Sequence, residues 1–112
     1  PITPIQFAKG KSGTTVSGRF KGYDDVQYRL RAQSGQTLSY NISSPNDLAL
    51  MNIFSPGDKP GSSKALLDGS MSDSSGEITL PKTGDYLIQI YQMRNTARQN
   101  KVVNYTLKIG VN

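Results

Sequence analysis

The chain has 112 residues, no cysteine, no histidine, and a net charge of +5 from 13 lysines and arginines against 8 acidic residues. That length holds one domain, residues 1–112, with one modest core. The missing residue types exclude disulfides, thiolate metal sites and any Ser-His-Asp or Cys-His nucleophile, so an enzyme here would have to rely on carboxylates.

No segment approaches the roughly 18 consecutive apolar residues of a membrane span, so membrane insertion is not expected. The chain opens on Pro1 rather than methionine. A mature form with its signal peptide removed, or a trimmed chain, accounts for this start. Doing without cysteine is common in the bacterial periplasm, where small animal secreted domains would use bridges. The basic residues are scattered from Lys9 to Lys108. No run is dense enough for a nucleic-acid arm, but the surplus charge steers the protein towards acidic partners.

The dominant period is two, which predicts strands. Phe7 and Thr15 to Lys21 are two weaker strand signals. Val26 to Ala32 alternates cleanly, with Val26, Tyr28, Leu30 and Ala32 inward and Gln27, Arg29 and Arg31 outward. Thr37 to Ser43 repeats the pattern through Leu38, Tyr40 and Ile42. Leu48 to Phe54 is more apolar, as a central strand would be. Ser55 to Gly76 breaks the rhythm with Pro, Gly, Ser and Asp, and Ala65-Leu66-Leu67 inside it reads as a short strand or a turn of helix. So long an irregular connection is mobile or functional. Glu77 to Leu80, Asp85 to Ile90 and Val102 to Ile109 complete the pattern. Glycine-bearing turns at Lys11-Ser12-Gly13, Lys21-Gly22-Tyr23-Asp24-Asp25, Ser34-Gly35-Gln36 and Lys82-Thr83-Gly84 separate the strands. About eight short strands with such turns predict an all-β antiparallel sandwich of jelly-roll type.

Three groupings with chemical content reduce to ordinary roles. Asp68, Asp73 and Glu77 lie in a serine-rich loop without calcium-loop spacing, so a solvated loop is the better reading. Asp24 and Asp25 are adjacent and point apart on extended backbone, which suits turn capping and not paired acid-base work. The serines lack a base. No cofactor or metal is implied. Tyr23 sits on a turn outside the buried alternation, either by chance or as a contact residue.

The stretch Tyr91 to Asn100, YQMRNTARQN, remains. As a single helical turn it puts Met93 with Ala97 on one side and Arg94 with Arg98 on another. Like charges at that spacing repel slightly, so local stability gives no reason for the pair. Either each arginine finds a carboxylate from Asp24, Asp25 or Asp85, or the tip is a preformed cationic surface for an anionic partner. Arginine suits the second role, because its planar fork binds carboxylate bidentately.

The segment Thr83 to Asn112 resembles the end of the periplasmic inhibitors of g-type lysozyme. A Gly-x-Tyr strand leads into Gln-x-Arg-Asn-x-Ala-Arg and a final strand, matched here by Gly84, Tyr86, Gln92, Arg94, Asn95, Ala97 and Arg98. Lys21 to Ser43 also looks like the family, and the likeness is weakest from Ser55 to Gly76. The resemblance implies a jelly-roll sandwich, a periplasmic location, no catalytic activity, and loops inserted into the active-site cleft of a g-type lysozyme. Arg94 and Arg98 would meet the acidic groups of that cleft, Tyr23 would fill an adjacent subsite, and Gln92 and Asn95 belong to the same partner-binding segment. The first half also resembles the prepeptidase C-terminal domains of secreted proteases, which implies instead an accessory sandwich that binds carbohydrate or stabilises an enzyme. The Gln-x-Arg-Asn-x-Ala-Arg segment separates the two.

Overall fold

The alternating residues form two packed four-stranded sheets in a computed structural model that describes Pro1 to Asn112. The strands are β1 (Ile2–Pro4), β2 (Gly13–Lys21), β3 (Val26–Ala32), β4 (Thr37–Ser43), β5 (Leu50–Phe54), β6 (Ser75–Thr79), β7 (Gly84–Tyr91) and β8 (Val102–Val111). A short helix, α1 (Arg94–Ala97), joins the last two. Sheet 1 has the order β1-β3-β7-β5 and sheet 2 the order β2-β8-β4-β6. From β2 onward each strand lies in the opposite sheet from its predecessor, as in a jelly roll. All pairings are antiparallel except β1 with β3.

The inward positions pack between the sheets. Leu30, Leu38, Ile53, Ile88, Ile90 and Leu107 are almost wholly buried. Each such side chain contributes about 1.5–3 kcal/mol relative to exposure. Tyr86 is fully buried, and its hydroxyl donates to Lys82 O at 2.6 Å and accepts from Lys82 N–H at 2.9 Å. This tyrosine corner gives the Gly-x-Tyr motif its physical role, fixing the turn that enters β7.

Three expectations change. Phe7 lies outside any strand, and the N-terminal strand is Ile2–Pro4, added in parallel to β3. The fifth strand starts at Leu50, because Pro45–Asp47 forms a 3₁₀ turn with Asn46 and Asp47 at positive φ. The sixth strand is Ser75–Thr79 rather than Glu77 to Leu80, paired with Asn41 to Thr37.

The long connection after β5 follows from the topology. β5 and β6 run the same way, so the chain must return the length of the sandwich between them. It does so along the free edge of β5, where Leu66 and Leu67 N–H donate to Ile53 O and Ile53 N–H donates to Leu67 O at 3.0 Å. A single bridge thus stands where a further strand would lie and covers that edge.

One end of the sandwich collects four connections. They are the turn before β3, the 3₁₀ turn before β5, the Asp68 to Ser74 segment before β6, and the α1 connection before β8. Every one of the sequence-derived contact residues lies on two of them.

Candidate partner-binding site

The arginine turn is built from its backbone outward. Ala97 N–H donates to Met93 O at 2.9 Å and Arg98 N–H to Arg94 O at 3.0 Å, closing helical turns. Asn100 takes φ +57, a left-handed residue that ends the turn and sends the chain into β8. Ala97 is 1% exposed, while Arg94, Asn95 and Arg98 are exposed. Burying only the alanine leaves both guanidiniums outside.

Neither arginine is tied down. The single ion pair in the molecule joins Arg31 to Asp85 at 3.5 Å. Asp25 is engaged elsewhere, accepting from Gln27 Nε2 at 2.9 Å and Gln89 Nε2 at 2.8 Å. It therefore caps side-chain amides and not the backbone amides expected of it. Asp24 contributes its backbone, with its N–H donating to Lys21 O at 3.1 Å. The carboxylates considered as internal partners leave Arg94 and Arg98 exposed and unpaired.

Gln92 has a different position from the other motif residues. It is 6% exposed, and its Nε2 donates to Gly22 O at 3.0 Å and to Lys101 O at 2.9 Å. Gly22 N–H also donates to Lys101 O at 3.0 Å. These bonds latch the Gly22-Tyr23 turn to the base of the arginine turn. Gly22 has φ +62, and a Cβ there would sit 3.0 Å from Asn100 Oδ1, so both conformation and space call for glycine. Tyr23 follows it and is 68% exposed, beside the arginine turn. Gln92 thus holds the site from inside, and its Oε1 is buried without a partner.

A polar ladder runs across the outer face of sheet 1. Gln27 pairs in register with Gln89, and Gln89 with Asn52. Asn52 Nδ2 donates to Gln89 Oε1 at 3.3 Å, and Gln89 reaches Asp25 as described. Asn52 Oδ1 accepts from Tyr91 Oη at 3.2 Å and from Gly69 N–H at 2.9 Å. Burial raises the Tyr91 phenol above its ordinary range, and the Asp68 charge adds to the rise. Asp68 accepts from Ser70 Oγ at 2.6 Å and Ser70 N–H at 2.9 Å, and those bonds hold its carboxyl below the ordinary range. The Asp68 carboxylate is therefore engaged in shaping its own turn.

Exposed large apolar side chains gather at the same end. Tyr23, Met71, Met93 and Val102 stand on or beside its connections. Arginine, methionine and aromatic residues together are the composition of a protein-binding surface.

No protein-family model matches the chain. It is 35% identical over 107 residues to the inhibitor of g-type lysozyme of Escherichia coli K12, covering 96% of this chain and 78% of that one. The chain belongs to the g-type lysozyme inhibitor family. The crystal structure of Aeromonas hydrophila PliG, a periplasmic lysozyme inhibitor of g-type lysozyme, superposes with a TM-score of 0.92 at 38% identity, covering 99% of this chain and 96% of that one. PliG of Salmonella Typhimurium gives 0.78 at 34% identity, covering 99% and 97%. The prepeptidase C-terminal domain of a Bacillus anthracis collagenase gives 0.63 at 15% identity over 100% of this chain and 95% of that domain, a likeness of fold alone. The family's members are named as inhibitors, a non-catalytic role, and the PliG proteins as periplasmic. Like Tyr86 with its bonds to Lys82, buried Gln92 is a motif residue whose role the sequence pattern concealed. The signal was its place at the end of a strand, where an inward side chain meets two turns.

Proposed function

We propose that this protein is a periplasmic inhibitor of g-type lysozyme that docks its Tyr23 and Arg94–Arg98 end into the acidic cleft of the enzyme, and so protects bacterial peptidoglycan. The observation that carries the reading is the pair of exposed arginines, without an internal carboxylate, on a turn anchored from beneath by Ala97 and Gln92. Glycoside hydrolysis requires carboxyl groups around the scissile bond, so such a cleft offers the anionic partners the arginines lack. Arg94 and Arg98 supply charge-assisted hydrogen bonds to them. Tyr23 fills a neighbouring sugar subsite, Asn95 adds a polar contact, and Gln92 acts as a positioning residue. A rigid tip loses little conformational freedom on docking, which favours tight binding.

Inhibition assays on Arg94→Ala and Arg98→Ala test this. Each substitution should weaken binding by about 2–5 kcal/mol if its arginine meets a buried carboxylate. Full potency in both variants, with unchanged melting, would reject the assignment. A wild-type protein that leaves g-type lysozyme active would reject the function.

A further inference from the structure

We propose that the Asp68 to Ser72 turn is a second contact arm for the lysozyme, with Met71 as its contact side chain and Asn52 as the residue that positions it. The inference rests on the docking end described under Proposed function and widens it.

Met71 is 86% exposed, more than any other large apolar side chain in the protein. Lack of space does not account for this. A cavity of about 270 Å³ lies against the same segment, lined by Ile42, Met51, Leu67, Gly69 and Asp73 among others, and Met71 does not enter it. The cavity has a mixed lining, with Asp47, Ser72 and Ser74 beside its apolar residues, and the thioether stays outside it in water.

The segment that carries Met71 is also built to hold a shape. Met71 N–H donates to Asp68 O at 3.1 Å, and the Asp68 carboxylate binds Ser70 twice. Gly69 lies directly on β5, where a Cβ would fall 2.4 Å from Met51 O and 2.6 Å from Met51 N. Only glycine permits that approach. Ile42 N–H donates to Ser74 O at 2.8 Å and closes the segment on the other side. The bonds that order the turn tie its backbone to β5 and β4, and none of them requires the methionine side chain to face water.

The sheet order places this arm relative to the arginines. Sheet 1 runs β3, β7, β5, and then the Leu67 bridge outside β5. The Tyr23 turn leads into β3, the arginine turn leaves β7, and the Met71 turn follows the bridge. The three stand abreast across about 14 Å, three strand spacings. The Gly69–Asn52–Gln89–Asp25 hydrogen bonds cross the same strands, and Asn52 also holds Tyr91, the residue before Gln92. The surface therefore has a cationic centre, an aromatic flank and a thioether flank. The partner chemistry that fits is an acidic cleft with an apolar or aromatic wall, against which methionine sulfur packs well.

The test compares inhibition of a g-type lysozyme by wild type, Met71→Ala, Met71→Glu, Met71→Leu and Asn52→Ala, with melting temperatures and amide exchange. Met71→Ala should raise the inhibition constant about tenfold, the scale of burying one methionine side chain. Met71→Glu should do worse, Met71→Leu should stay within about threefold, and all Met71 variants should melt like wild type. Asn52→Ala should speed exchange at the Gly69 amide and weaken inhibition, with little further loss when combined with Met71→Ala. Wild-type potency in Met71→Ala and Met71→Glu, while Arg94→Ala is impaired, overturns the second arm and leaves the arginine site standing. Melting lowered by more than about 5 °C in Met71→Ala shows a packed side chain and also overturns it. A wild type without inhibition removes the reading on which the arm depends and the arm with it.

Discussion

Replacing Gln92 with leucine separates the positioning of the site from the stability of the fold. The side chain is 6% exposed, and leucine nearly fills its volume, so packing is largely kept. Two hydrogen bonds disappear, to Gly22 O at 3.0 Å and to Lys101 O at 2.9 Å. Lys101 O keeps the Gly22 N–H at 3.0 Å, whereas Gly22 O loses its sole protein donor. One orphaned buried carbonyl costs about 1–3 kcal/mol. Against that, Gln92 Oε1 is already buried without a partner, and removing it returns a desolvation cost of about the same 1–3 kcal/mol. The two nearly cancel, so global stability should change by less than about 1 kcal/mol, roughly 5 °C or less in melting temperature. The latch between the Tyr23 turn and the arginine turn is nevertheless reduced to one backbone bond. We expect the Gly22 amide to exchange faster and inhibition of g-type lysozyme to weaken about tenfold, equivalent to one lost hydrogen bond of ~1.4 kcal/mol. Gln92→Glu should be worse in every respect, because a carboxylate would face two carbonyl oxygens with nothing to donate. Unchanged Gly22 exchange and unchanged inhibition in Gln92→Leu would refute the latch. A collapse in melting temperature without a specific loss of inhibition would refute the cancellation.

Tyr86→Phe removes the tyrosine corner and leaves both Lys82 backbone groups short of a partner. Denaturant unfolding should show a loss of about 1–3 kcal/mol, with inhibition intact at temperatures where the variant is folded. High pH should destabilise the protein through its buried phenols. Burial and the 2.6 Å bond to Tyr28 raise the Tyr105 phenol far above its ordinary value of 10.0, and burial raises Tyr40 and Tyr91 in the same direction. The unfolded chain ionises first, so stability should be level below pH 10 and fall as pH rises further. Urea titrations from pH 8 to 11.5 check this, and Tyr105→Phe should flatten the fall. Association with lysozyme should slow with added salt, since a chain of charge +5 is steered towards an acidic cleft. Stopped-flow measurement should find a shallower salt dependence in the Arg94→Ala, Arg98→Ala double variant.

Strand positions were legible where one face of a strand meets the core. Val26 to Ala32 and Thr37 to Ser43 match their observed limits because strict alternation leaves one register that buries Tyr28, Leu30, Leu38, Tyr40 and Ile42 together. Phe7 misled because a lone aromatic carries no period, and it packs against the core from a loop. Ile2–Pro4 gave no signal because its three residues are all exposed and pair by backbone alone. The arginine turn was legible as a local object, since the i, i+4 spacing and the small Ala97 between the charges are local facts. What surrounds it was not. The Gly22 O and Lys101 O acceptors lie 70 and 9 residues from Gln92, and the Asn52–Gly69 bond spans 17. Those contacts exist only because each jelly-roll connection crosses between sheets and returns several of them to one end. Local patterning can therefore name the exposed arginine tip, while the long-range bonds of Gln92 beneath it and of Asn52 to the Gly69 turn are set by topology. Substitutions at those two positions should accordingly change inhibition by altering geometry, and substitutions at Arg94 and Arg98 by removing charge.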